Sequence, residues 1–85
     1  MPKIYGWDDI GEVPKEPCVY DLFDGEERIR NGSSCNCNRR LQEHKRNIPE
    51  ATSFSFKTVE SPKLARIIEK NECKQDRPRL NKRCG

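Results

Sequence analysis

Along residues 18–23, "CVYDLF", side chains alternate so that Cys18, Tyr20 and Leu22 share one face of an extended segment, with Val19, Asp21 and Phe23 on the other. "DGE" (24–26) is a tight-turn signal, and "ERIRNG" (27–32) reads as the returning strand of a β-hairpin. Gly32, Ser33 and Ser34 are expected to break that strand. The period then changes to a helical one. Cys37, Leu41 and Ile48 recur along one stripe, Asn36 or Asn38 can cap the start, and Pro49 stops the helix. "TSFSFKTV" (52–59) alternates again, setting Phe54 and Phe56 against serines as a half-buried third strand does. Ser61-Pro62 is a strong start for a second helix, whose expected buried face is Leu64, Ala65, Ile67 and Ile68 and whose limit is Pro78. Ahead of all this, "DDIGEVPKEP" (8–17) reads as a helical turn and an extended lead-in fixed by Pro14 and Pro17. Hairpin, helix, strand, helix predicts a small α+β domain with a three-stranded antiparallel sheet flanked by helices.

The 85 residues are expected to make one domain, with a lead-in over 1–16, a core over 17–81 and a basic tail over 82–85. Its core is thin, because 36% of residues are charged and only 32% hydrophobic. No apolar stretch reaches the length of a membrane span or of a signal-peptide core. A cytoplasmic protein with no membrane partner is therefore expected.

Charge is unevenly distributed. Residues 1–29 carry a net −5, residues 30–47 +4, residues 48–61 −1 and residues 62–85 +5. If folding joins the two basic blocks, they form a patch able to hold a polyanion through phosphate contacts. The five cysteines, Cys18, Cys35, Cys37, Cys73 and Cys84, are an odd set for a chain read as unsecreted. Small buried or free thiols are expected rather than a full disulfide framework. Cys35-x-Cys37 with the distant Cys73 and Cys84 lacks the paired spacing of a zinc knuckle.

The candidate chemistry begins in "NCNRRLQEHKR" (36–46). A run this charged is usually a solvated helix face. Arg40 and His44, however, lie one turn apart and can converge on a phosphate. Tyr20 lies mid-strand in the hairpin, Glu69 lies on the second helix beside its apolar face, and Asn81 follows twelve residues later.

In that order these residues resemble the GIY-YIG nuclease family, over most of the chain from about Val13 to Asn81. "PCVY" (17–20) stands where the family has Gly-Ile-Tyr. "IRNGSS" (29–34) stands where it has Tyr-Ile-Gly and the small residues after it. "RRLQEH" (39–44) is similar to the family's helix, with an arginine and, four residues on, a histidine or tyrosine. "ARIIEKNECKQDRPRLN" (65–81) matches the stretch with the metal-binding glutamate and then Pro-x-x-Asn. The pattern is most similar to the amino-terminal nuclease domain of the bacterial excision-repair incision protein, which has the same Glu-to-Asn interval. Two positions depart from the family: Cys18 replaces its first glycine, and Arg30 stands at its second signature tyrosine.

The resemblance implies a metal-dependent endonuclease hydrolysing DNA phosphodiester bonds in repair, recombination or mobile-element processing. It implies that Glu69 holds one divalent ion, Mg²⁺ or alternatively Mn²⁺. Arg40 would grip the scissile phosphate, Tyr20 would act as general base or orient the water, and His44 would assist proton movement or hold Tyr20. A phenol serves as base only if nearby cations such as Arg40 lower its pKa. Arg30, Arg39 and Lys45 would contact phosphates, while Gly32 and Asn81 would support the site. The alternative is a catalytically inactive nucleic-acid-binding module on the same fold, because of Arg30. With no room in 85 residues for an additional DNA-binding domain, shape selection, a homodimer or a recruiting protein partner is implied.

Overall fold

The central hairpin joins β2, Cys18–Asp24, to β3, Glu27–Ser34, through a two-residue turn. Gly25 takes φ +63° at the first position of that turn, where a two-residue hairpin favours glycine. The structure is a computed structural model, and it describes residues 3–75. In it β1 is Tyr5–Gly6, followed by a 3₁₀ helix at Trp7–Glu12. After the hairpin come α1, Cys37–Asn47, then β4, Ser53–Thr58, and α2, Pro62–Gln75. All strand pairs are antiparallel, in the order β1-β4-β2-β3.

Among the described residues the sheet thus has four strands rather than the three expected. The extra edge strand is only two residues long, too short to show a period of two in the sequence. Pairing of Tyr5 with Phe54 creates it, and the Tyr5 and Phe54 rings stack at 5.6 Å. Trp7 packs on the same phenylalanine at 5.0 Å and donates its indole N–H to the Ala51 carbonyl at 2.9 Å. Nor do Gly32, Ser33 and Ser34 end β3. They continue it, because each finds a cross-strand partner, in Tyr20, Val19 and Cys18 respectively.

One sheet face carries Cys18, Tyr20 and Leu22 of β2 together with Phe54 and Phe56 of β4. Against it sit Leu41 and Cys37 of α1 and Val13 of the lead-in, closing the hydrophobic core. Asn36 caps α1 by accepting the Arg39 N–H. Asn38 is the device that holds the lead-in there: its Nδ2 donates to the carbonyls of Ile10 and Val13. On the opposite face α2 packs over β2 and β3, with Ala65 and Cys73 buried. Leu64 and Ile67, expected to be buried, are exposed instead. The surface under α2 includes Asn31 and Ser33, which bond Glu72 and Glu69, so these carboxylates turn towards it beside the half-buried Ile68 while Leu64 and Ile67 rotate away.

The cysteines also depart from expectation. Cys18 and Cys37, fully buried, form a disulfide across the core between β2 and the start of α1. Cys73 is disulfide-bonded as well, and Cys35 is a free, exposed thiol. The cause is topological: hairpin and helix cap bring residues 19 apart in sequence to a Cα–Cα distance of 5.6 Å. Among the described residues, no helix is long and apolar enough to cross a membrane.

Candidate active site

Tyr20 and Gly32 are directly opposite on β2 and β3. A side chain at 32 would collide with the tyrosine ring, since a Cβ there would fall 2.5 Å from Tyr20 Cζ. Glycine therefore lets the ring lie flat across β3, the edge strand, and carries the phenol to the rim of the sheet. There the hydroxyl meets His44 of α1, with Oη 2.6 Å from Nε2. His44 is itself buried, one turn beyond Arg40 on the same helix.

Two guanidinium groups act on this pair. Arg30, opposite Leu22 on the core face of β3, is half-buried, and its Nε has no hydrogen-bond partner among the described residues. Arg40 approaches from α1, its other contact being Glu43 at 3.8 Å. For His44, burial, Arg30 and Arg40 all oppose a further positive charge, and its pKa falls from 6.5 to about 4. The imidazole is neutral at physiological pH.

For Tyr20 the same forces conflict. Burial pushes the phenol pKa up, Arg30 and Arg40 pull it down, and Glu69 adds a smaller upward push. Burial wins, so the pKa rises above the ordinary 10.0. The cations act in the direction required for a phenolate base, yet they do not outweigh desolvation.

Glu69 reaches the same rim from the other face. Alternation along β3 turns Ser33 away from Tyr20 and towards α2, where its hydroxyl donates to Glu69 Oε2 at 3.1 Å. Asn31, two residues earlier and buried, ties the same face to α2 by donating to Glu72 Oε1 at 3.3 Å and to Asp21 Oδ1 at 2.8 Å. Among the described residues no cluster of three or more histidine, cysteine or acidic side chains could enclose a metal. Glu69 offers a single hard oxygen site in cationic surroundings. That fits an ion such as Mg²⁺, which retains most of its waters and takes its remaining ligands from a phosphate.

Tyr20, Arg30, Gly32, Arg40, His44 and Glu69 thus lie together around β3, the edge strand among the described residues. Two of the expected phosphate contacts lie elsewhere. Arg39 is exposed and 3.5 Å from Glu43, and Lys45 lines a separate hollow with Ile10, Gln42 and Arg46. Asn81 lies outside the described residues. Ser33 escaped the sequence reading, because a Gly-Ser-Ser run looks like a strand break until its pairing is known.

No protein-family model and no curated protein matches the chain. Solved structures do. The GIY-YIG N-terminal endonuclease domain of UvrC from Thermotoga maritima, as an asparagine-to-alanine point mutant bound to its catalytic divalent cation, is 25% identical. It superposes with a TM-score of 0.78 over 89% of this chain and 93% of that one. The same domain bound to magnesium is 27% identical, with a TM-score of 0.75 over 87% and 92%. A tyrosine-to-phenylalanine mutant of it, also bound to its cation, gives 27% and 0.77 over 89% and 93%. The chain has the fold of the GIY-YIG endonuclease domain.

Proposed function

We propose that the chain is a metal-dependent endonuclease hydrolysing DNA phosphodiester bonds. The observation that carries this reading is the convergence of Tyr20, Arg30, Arg40, His44 and Glu69 on one strand edge, in the fold of a domain that binds a catalytic divalent cation. Spacing supports it. The tyrosines singly replaced by phenylalanine in the Thermotoga maritima domain lie ten and then fourteen residues apart. Tyr20, Arg30 and His44 keep those intervals.

Hydrolysis needs a water freed of a proton, a phosphate held in line and negative charge stabilised as it grows. Glu69 would hold the ion, which when bound supplies charge neutralisation at the phosphate. Arg40 presents a planar fork to the non-bridging oxygens. From β3, Arg30 adds a second positive charge beside the phenol, at the position where the family has a tyrosine. With the phenol protonated and the imidazole neutral in its Nδ1–H tautomer, the Tyr20 O–H would donate to His44 Nε2. The phenol oxygen then accepts the proton of the attacking water as its own passes to His44. His44, whose pKa near 4 in the free site makes it a weak base, would take the phenol proton only as negative charge builds on the adjacent phosphate, with Tyr20 as the relay. Gly32 keeps the ring in position, and Asn81 has a supporting role. Arg39 and Lys45 are left for more distant phosphates.

The test is nicking of supercoiled plasmid, flap and branched DNA with Mg²⁺ or Mn²⁺. Cleavage is expected, abolished by chelation and by Glu69→Ala or Arg40→Ala while both variants keep the wild-type circular dichroism. Identical trace cleavage by wild type and variants would sink the reading. Arg30 favours a second possibility, a silent nucleic-acid-binding module. It would bind DNA in a salt-sensitive way, indifferent to Mg²⁺ and Glu69, and cleave nothing. Non-specific phosphate contacts alone give only about 10⁻⁴–10⁻⁶ M affinity at physiological salt. A homodimer or a recruiting protein would therefore raise occupancy in repair, recombination or mobile-element processing.

A further inference from the structure

Beside the tyrosine–histidine pair lies a cavity of about 200 Å³ lined by Ser33, Ser34, Cys35, Arg40, Pro62 and Arg66. We infer that Arg66 holds a second backbone phosphate of the nucleic acid in this cavity, next to the phosphate gripped by Arg40. The inference rests on the endonuclease reading and adds to it a residue and a subsite.

Four features carry it. Among the described residues the cavity wall has two guanidinium groups, able to donate to an anion, and no carboxylate; the serine hydroxyls are already committed, Ser33's to Glu69 and Ser34's to the Asn36 carbonyl. Among the described residues Arg66 has no ion-pair partner. It is exposed, and Glu69, the carboxylate one turn along α2 and so best placed to pair with it, is instead engaged by the Ser33 hydroxyl. The cavity is continuous with the proposed centre through shared residues: Arg40 borders it and acts on Tyr20 and His44, while Ser33 borders it and holds Glu69. Arg66, finally, lines the cavity from α2 while Arg40 lines it from α1, so the two guanidiniums stand on different elements around it. A polyphosphate backbone can occupy both places at once; a single phosphate cannot. Arg66 is a substrate-positioning residue in this account, since it touches a phosphate that is not cleaved.

The experiment compares Arg66→Gln with Lys74→Gln, a substitution of equal charge on the same helix away from the cavity, using a labelled DNA duplex that wild type cleaves with Mg²⁺. Arg66→Gln is expected to raise KM about 5–20-fold with kcat within twofold, and to lower the slope of log affinity against log salt by about one. Lys74→Gln should change KM by less than twofold. Replacing single phosphates flanking the cleaved bond with uncharged methylphosphonates should locate one position where wild type loses the same factor and Arg66→Gln loses nothing more. If wild type cleaves but Arg66→Gln behaves as Lys74→Gln does, or every methylphosphonate adds its full loss to that of Arg66→Gln, the assignment is wrong while the endonuclease reading stands. If wild type neither cleaves nor responds to Mg²⁺, the reading fails and takes the assignment with it.

Discussion

The phenol of Tyr20 and the imidazole of His44, 24 residues apart in sequence, share a hydrogen bond of 2.6 Å whose partners are both driven to their neutral forms. If they act as one relay, losing either loses both. Tyr20→Phe and His44→Gln should each reduce kcat by about 10²–10⁴, and the double variant should be scarcely slower than either alone. Single-turnover cleavage rates measure this; additive losses would mean independent roles.

His44 also makes stability depend on pH. Its folded pKa of about 4 lies below the unfolded 6.5, so between those values the unfolded chain binds the extra proton. Stability is retained above about pH 6.5 and falls as pH drops towards 4. Imidazole NMR should show the His44 midpoint near 4 and move it upward in Arg40→Gln and Arg30→Gln, because both guanidiniums depress it. In Arg30→Gln the Tyr20 ionisation should rise further too, which ultraviolet titration reads.

Gly32→Ala should damage both fold and site. Its Cβ would overlap the Tyr20 ring, and relieving that overlap costs about 1–3 kcal/mol. Denaturant unfolding should show the loss. Adding Tyr20→Leu, which removes the ring, should recover part of the stability and none of the activity.

Removing the Cys18–Cys37 disulfide with the double substitution Cys18→Ala and Cys37→Ala should cost about 3 kcal/mol of stability, given a closed loop set by a separation of 19 residues. Calorimetric melting of the two proteins under non-reducing conditions checks it. An unchanged Tm would show that packing around Leu41 alone holds β2 to α1.

Much of the architecture could be read directly from local patterns. The alternation of residues 18–23, the turn at Gly25, the cap at Asn36 or Asn38, which the fold decides for Asn36, and the Ser61-Pro62 start are each a short-range signal, and each element stands where that signal put it. The burial of Leu64 and Ile67 was misread for a physical reason. Helical spacing reports which residues share a face, whereas the surface beneath decides which face is turned inward, and under α2 that surface presents Asn31 and Ser33 to Glu72 and Glu69. The edge strand β1 and the Cys18–Cys37 bridge were hidden because neither has a local signature; both exist only through partners distant in the chain.

The sequence by itself determined the residue types and their order: a phenol, two guanidiniums, an imidazole and a carboxylate at the intervals of a known nuclease pattern. Tertiary structure alone decided how they are tuned. Laying Tyr20 over Gly32 sends the phenol to an edge where burial, not the nearby arginines, governs its proton, and the same burial keeps His44 neutral. Desolvation depends on everything packed around a group, so no reading of spacing along the chain could supply it.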